Sequence, residues 1–496
     1  MQRLFTNLYA FLSSGLFFRL IVASLVVSAS WLALSGQYPM AFDEDFHYGL
    51  IKVYSSHIFP ILSSQPLNAD AYGAVARDPS FLFHYLMSFP YRLISLFTNN
   101  QTVIVIILRA LDIAMFASAL PIFKRLLKKA GASDIIVNGS LALFVLIPIT
   151  PMLAAQINYD NMLLPVVALF LLLSLSVPSR PLPEHPKIFL QLVALGLFGS
   201  LIKFAFLPIF LAVGLWLIIV FKPVWRQRQM WWNSLKPLFK SATGIGLSIL
   251  IVLLGVLAVD RYGINLIRYH DPIPDCGKVL TLNHCQNYGP YIRDYNFSAA
   301  KTTTTNNPIS FTNQWLYGMW FRSVFTVDGP KTQFQTRGPL LVPAIAEIIL
   351  LIAAAAAFLF KGLKIWRMHP QSTSLFVLVS LVYLAALWLQ EFKAYVHTAM
   401  PVAINSRYLL PIILLIMCLA IMAASAGLGR FRNFKIAFLA IGLLAFMYGG
   451  GGLTYVLRSN DSWYWNNASV RNVNHAVQNT IGPLVPGYYN PILFLR

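Results

Sequence analysis

Apolar and polar positions follow one pattern through the chain, in which a run of about 20 apolar residues is closed by a short polar break and then repeated. A run of that length makes a helix able to cross the roughly 30 Å hydrocarbon core of a bilayer. The pattern predicts spans at 17–37, 101–123, 135–153, 161–177, 188–203, 205–221, 242–259, 339–360, 373–391, 408–425 and 436–456, about eleven in all. The stretch 188–221 decides the count, since about 34 apolar residues would extend roughly 51 Å as one helix, too far for a single crossing. It reads as a hairpin with Lys203 at its turn. The first window lacks a small-residue cleavage site and reads as a retained span.

The polar breaks alternate in charge. "KRLLKK" (124–129), "KPVWRQRQMWWNSLKPLFK" (222–240), "KGLKIWR" (361–367) and "GRFRNFK" (429–435) are basic and, by the positive-inside rule, cytoplasmic. The other breaks hold most of the acids, among them Asp43, Glu44, Asp45, Asp70, Asp78, Asp160, Asp260, Asp271, Asp294, Asp328 and Glu391, and so face outward. A transmembrane domain over 1–457 thus carries two outer loops, about 38–100 and 260–338, and an outer tail, 458–496. The aromatic stretch 78–97 is expected to lie along the interface.

Composition agrees with this reading: 57% of residues are hydrophobic and 11% charged, against about a quarter charged in soluble domains. The net charge of +20 is spread over the cytoplasmic breaks, which points to membrane lipids and not to nucleic acid. Two low-complexity tracts, "TTTT" (302–305) and "GGGG" (449–452), read as flexible loop and close helix packing. Cys276 and Cys285 share the second outer loop, where a disulfide and two free thiols are both open, with a structural metal beside His284 the lesser alternative.

Chemistry concentrates where Asp43, Glu44 and Asp45 follow a span and precede His47. Clustered carboxylates repel unless something uses them. Two uses fit: a general base for an incoming hydroxyl or amine, or a pair, Asp43 and Asp45, holding a divalent cation such as Mg or Mn. Lys203 and Arg407, each at an outer span end, suit an anionic group.

Five segments carry a family resemblance. "FDEDFHYGLIKVYSSHIFP" (42–60) resembles the first outer loop of GT-C membrane glycosyltransferases, particularly protein O-mannosyltransferases and related bacterial multi-pass proteins. "RDPSFLFHYL" (77–86) takes the place of that family's His-Pro-Pro-Leu segment, with Asp78 where His is usual and Ser80 for the second Pro. "QINYDNMLLP" (156–165) is similar to the second acidic motif, "GSLIKFAFLP" (199–208) to the Gly-Leu-x-x-Lys turn, and "NSRYLLPIILL" (405–415) to the Arg-Tyr-Leu-x-Pro start of a late span. The matches cover about the first 220 residues and 400–415.

The resemblance implies an all-α, GT-C-like polytopic fold whose outer loops form the site. It further implies an inverting transfer of a sugar from a polyprenyl-phosphate donor to a glycan, lipid or protein acceptor, outside a bacterial inner membrane. Asp43, Glu44 and Asp160 take catalytic roles in that reading, Lys203 and Arg407 bind the donor phosphate, and Asp45, His47, Asp78 and Tyr408 are further contacts. Two other classes stay open: a transporter or flippase working through Asp112 and Glu347 in the second and eighth spans, and a polymerase or ligase of surface polysaccharide.

Overall fold

The computed structural model describes residues 2–489 apart from 41–42, 63, 222–227, 302–306, 328, 330–335, 428–431 and 466. Among the expected features, the threonine tract, Asp328, the first part of the 222–240 basic break and residues 429–431 lie outside the described residues.

Helix α1 (Gln2–Leu12) leads into α2 (Gly15–Ser35), whose start is capped by Ser14 Oγ accepting from Phe17 N at 3.0 Å. The first of the two regions expected to face outward holds α3 (Glu44–Ser55) and α4 (Leu82–Ser95), packed on each other. Then follow α5 (Gln101–Lys129), α6 (Asp134–Leu146), α7 (Ile149–Ala154), α8 (Tyr159–Ser176), α9 (His185–Ile202), α10 (Leu207–Phe221), α11 (Arg228–Lys240) and α12 (Ala242–Ala258). A π-helical turn, Val259–Gly263, continues α12 into α13 (Ile264–Tyr269). The second region expected to face outward contains α14 (Cys276–Val279), α15 (Leu282–Cys285), α16 (Gly289–Ala299) and α17 (Pro308–Val324), then an antiparallel strand pair, β1 (Thr326–Val327) with β2 (Thr336–Arg337). Helices α18 (Leu341–Met368), α19 (Pro370–Thr398), α20 (Leu410–Gly427), α21 (Arg432–Met447), α22 (Gly452–Arg458) and α23 (Ala468–Ile481) complete the chain.

The protein is therefore a helical, polytopic membrane protein. Among the described residues nine helical stretches are long and apolar enough to cross a bilayer. They coincide with nine of the expected spans. The other two expected spans, 135–153 and 205–221, meet shorter apolar helices, Asp134–Leu146 and Phe204–Val220. In the first case Pro148 and Pro151 divide the segment into α6 and α7, because proline cannot donate the helical N–H and clashes with the preceding turn. In the second, Lys203 adopts extended backbone (φ −154°, ψ 126°) and separates α9 from α10.

Two loop boundaries also move. The helical stretch from Ala242 runs to Tyr269, so Asp260 sits on a span extension and not in the second loop. Glu391 lies within α19 and is buried, not exposed on a loop. The glycine run breaks the last span: Gly449 (φ +117°) and Gly451 (φ +57°) take backbone that side-chain-bearing residues avoid, and a Cβ on Gly452 would meet Ser28 Cβ at 2.8 Å. Close helix packing there is thus observed, as expected.

One large apolar cluster links α2, α3, α5, α6, α8, α9 and α20. By contrast the α12 stretch buries 11% and the α18 stretch 17% of its apolar window, so both present most of their surface outward, as lipid-facing helices do.

Candidate active site

Two asparagine caps fix where the site begins. Asn158 Oδ1 accepts from Asp160 N at 3.0 Å and opens α8, placing Asp160 in the first turn. Asn405 Oδ1 accepts from Arg407 N at 3.1 Å and opens the 3-10 turn Ser406–Leu409 that feeds α20. Asp43 precedes α3 with φ +72°, a left-handed conformation that aspartate tolerates better than most residues. Its side chain does not cap its own helix.

The side chains from these turns meet. Arg407 Nη2 donates to Asp43 Oδ2 at 2.6 Å and to Tyr408 Oη at 3.3 Å. Lys203 Nζ donates to Asp160 Oδ1 at 2.7 Å and lies over the rings of Tyr159 (4.4 Å) and Tyr408 (4.9 Å). Tyr383 Oη holds the Tyr408 carbonyl at 2.7 Å. Exposure divides the group: the Asp43 side chain is 48% exposed, whereas Arg407 (6%), Lys203 (5%) and Asp160 (6%) are buried. Asp43 is the group open to solvent, and the two cations sit deeper. Asp160 Oδ2 is buried with no hydrogen-bond partner among the described residues.

Glu44 has a different environment from the one expected. Fully buried, it accepts Arg109 Nε on Oε1 and Arg109 Nη2 on Oε2, both at 2.7 Å. Met40 N (2.8 Å) and Ile157 N (3.2 Å) add two further bonds. Arg109 Nη1 also donates to Ala33 O (2.8 Å) and Gly36 O (2.6 Å), carbonyls at the end of α2. A carboxylate with both oxygens engaged and no exposed surface anchors α2, α3 and α5 together; it has no face to offer a substrate. The sequence reading gave Glu44 a catalytic role, and the structure places it in this buried anchor.

His47 and His84 face each other, Nδ1 to Nε2 at 2.8 Å, both buried. One imidazole donates and the other accepts, so the contact holds a single proton. Burial drives the His84 imidazole down to about 3, keeping it neutral. The His47 ring meets Tyr159 edge-on at 4.5 Å, which ties the pair to the lysine's aromatic support.

Asp78 and Ser80 account for each other. Asp78 Oδ1 accepts from Ser80 N at 2.9 Å, a bond that proline at position 80 could not make. Ser80 Oγ in turn accepts from Phe204 N at 3.1 Å, linking the α3–α4 region to the hairpin turn beside Lys203. Burial pushes the Asp78 carboxyl up against the opposing effects of the Ser80 N–H and Arg261. Arg261 Nη1 binds Val75 O at 3.0 Å, and Arg77 Nη1 lies 3.5 Å from Asp260 Oδ1, so the π-helical turn locks onto the α3–α4 region. Asp78 thus belongs to this neighbouring cluster and is not bonded to Asp43.

Asp43 is engaged by Arg407, while the Asp45 charge is felt at Tyr38 and Tyr72. Among the described residues no three acidic, histidine or cysteine side chains are grouped to hold a metal. A cation at Asp43 and Asp45 would take its remaining oxygens from water or a substrate phosphate, as Mg does with one or two carboxylates.

Cys276 and Cys285 are disulfide-bonded. Sequence reasoning passed over Arg109, His84, Tyr159 and Tyr383. Arg109 alone gave a signal, a cation in the middle of an apolar run. The chain gives no significant match to protein-family models, curated proteins or solved structures.

Proposed function

We propose that this protein is a GT-C-like membrane glycosyltransferase that moves a sugar from a polyprenyl-phosphate donor to an acceptor on the outer face, with inversion. One observation carries the reading: Asp43, Asp160, Lys203 and Arg407, far apart in sequence, form two linked ion pairs at helix starts on one side of the bundle. An exposed carboxylate beside buried cations is the arrangement that an in-line displacement at a phosphorylated carbon needs.

The acceptor hydroxyl gives its proton to Asp43 as its oxygen bonds to the anomeric carbon. The bond from that carbon to the carrier phosphate breaks on the opposite side, and the phosphate leaves with the electron pair. Lys203 and Arg407 stabilise the charge gained there, in surroundings dry enough for the attraction to count. A guanidinium presents a fork of donors, so Arg407 can hold phosphate oxygens beside Asp43. Glu44 and Arg109 act by fixing the turn from which Asp43 projects. An outward-facing site in the inner membrane of a bacterium belongs to the same proposal, as do eleven crossings in place of the nine long ones.

The test is transfer from a radiolabelled polyprenyl-phosphate sugar by purified protein in nanodiscs, with Asp43→Asn beside the wild type. Removing the base should reduce turnover by about 100-fold or more. Wild-type protein that consumes none of a panel of such donors, or an Asp43→Asn protein that transfers normally, overturns the reading.

A further inference from the structure

Three aromatic rings from three separate segments converge beside Asp43. Phe46 of α3 lies 6.0 Å from Tyr72 and 6.1 Å from Tyr288, centroid to centroid, and all three are half-buried. Phe46 is inclined to Tyr72 by 61° and to Tyr288 by 37°, so neither ring lies flat on it.

The chain is built to hold these rings. A Cβ on Gly49 would fall 2.1 Å from Tyr72 Oη, so only glycine lets this tyrosine lie on α3. At Gly73 (φ +73°) a Cβ would stand 3.1 Å from the Tyr288 ring. The Cys276–Cys285 disulfide closes the segment just before Tyr288, whose N–H donates to Cys285 O at 3.0 Å. His284 Nδ1 and Asp70 Oδ2, 2.7 Å apart, join that segment to the one carrying Tyr72. After burial, the charges of Asp78 and then Asp43 push the Tyr288 phenol up.

Charge bears on what these rings hold. Asp43 pairs with Arg407 and Asp294 with Arg293 (2.7 Å), while Asp70 is hydrogen-bonded to His284. The Asp45 charge is also felt at Tyr72, so the wall sets carboxylates beside ring faces. A pyranose fits both, since its C–H bonds carry slight positive charge toward the negative ring face and its hydroxyls donate to carboxylates.

We infer that Phe46, Tyr72 and Tyr288 form a carbohydrate-stacking subsite, and that the acceptor delivered to Asp43 is a glycan. The identification of the sugar as acceptor rests on the transferase reading; the subsite does not. Tyr288 and Phe46 are positioning residues for that ligand.

Labelled full-length protein in nanodiscs is applied to an array of neutral oligosaccharides, serine- and threonine-containing peptides and amine-bearing polymers. Oligosaccharides should retain the wild type, Tyr288→Ala should weaken retention on the order of tenfold, and Tyr288→Phe should preserve it. Phe46→Leu, which keeps apolar volume but loses the ring, should weaken it too. An intact disulfide on non-reducing gels verifies folding of each variant. Absence of oligosaccharide binding, preference for peptides or amines, or binding indifferent to Tyr288→Ala overturns the inference. Glycan binding that depends on Tyr288, in a protein that transfers no sugar, would sustain the subsite and sink the transferase reading. Tyr288-independent transfer to a peptide would do the reverse.

Discussion

Glu44 and Asp43 are adjacent in sequence and opposite in environment, so conservative changes at the two should fail in different ways. Glu44→Gln keeps the shape but leaves the Arg109 guanidinium, which has no exposed surface, without its counter-charge. Removing one partner of a buried pair destabilises by about 3–5 kcal/mol. At roughly 2 °C per kcal/mol for a large chain, that lowers the melting temperature by about 6–10 °C. Asp43 is 48% exposed, and solvent screening keeps its pairing with Arg407 to about 1 kcal/mol or less, so Asp43→Asn should melt within about 2 °C of the wild type. Turnover should show the reverse order when assayed well below either transition. Glu44→Leu combined with Arg109→Met removes the uncompensated charge. Recovery should be partial, since the carbonyls of Ala33 and Gly36 lose their donor and Met40 N and Ile157 N their acceptor, at about 1 kcal/mol or more for each group left unpaired. The assay is thermal unfolding in nanodiscs, followed by intrinsic fluorescence. A Glu44→Gln protein that melts normally yet transfers no sugar would refute the anchoring argument and return Glu44 to the catalytic group.

Lys203→Ala and Arg407→Ala should each raise the KM for the lipid-linked donor at least about tenfold while acceptor KM stays near normal, and Arg407→Lys should not rescue, because an ammonium lacks the fork; unchanged donor kinetics in both alanine variants would remove the donor assignment. Acid should destabilise the fold through His84: its proton affinity is depressed in the folded state, so the unfolded chain binds more protons between about pH 6.5 and 3, and stability falls as pH drops through that window, by about 2 kcal/mol at pH 5. Melting curves at pH 7 and 5 for the wild type and His84→Gln check this, and equal acid sensitivity in the two would exclude His84 as the source. Asp112→Asn retains an oxygen for Asn161 and should leave sugar transfer within about tenfold of normal; complete loss of function would favour the transport reading.

Periodicity made the helices legible, and their number less so. Hydropathy alone registers the run at 135–153 as continuous, but Pro148 and Pro151 break its backbone, and a helix needs both apolar surface and intact hydrogen bonding. Short polar motifs exposed Asp43, Asp160, Lys203 and Arg407, because charges at span ends have few structural reasons to be there. The same logic cannot separate Asp43 from Glu44. Asp43 stands before α3 in left-handed backbone and Glu44 opens the helix, so one of the neighbours meets solvent and the other a buried arginine 65 positions later in sequence. His84 was hidden for the opposite reason, sitting in an aromatic run where its partner, His47, lies 37 residues away. Asp78 and Ser80, which looked like two independent departures from the resembling family, are joined by one hydrogen bond and read as a single change.

The carboxylates inside the spans bear on the choice between an enzyme and a transporter. Glu347 accepts Ser323 Oγ at 2.8 and 2.9 Å, and Glu391 accepts Trp315 Nε1, so these two acids hold α17 against α18 and α19. Helix α17 in turn backs the Ser406–Leu409 turn that presents Arg407, with Gly318 allowing Ile404 close approach. Asp112 accepts Asn161 Nδ2 at 3.1 Å, and the same amide donates to Leu153 O and Gln156 O, the backbone that leads into the Asn158 cap and Asp160. Glu347 and Glu391 thus brace the helix behind the Arg407 turn and Asp112 the backbone leading to Asp160, while Glu391 Oε1 and Asp112 Oδ2 stay buried with no hydrogen-bond partner among the described residues. A transport pathway asks the reverse of such groups, that they face a cavity and exchange protein partners for a passing solute. Partners within the protein and a common convergence on Arg407 and Asp160 favour a fixed outer site, with the intramembrane acids as its supports.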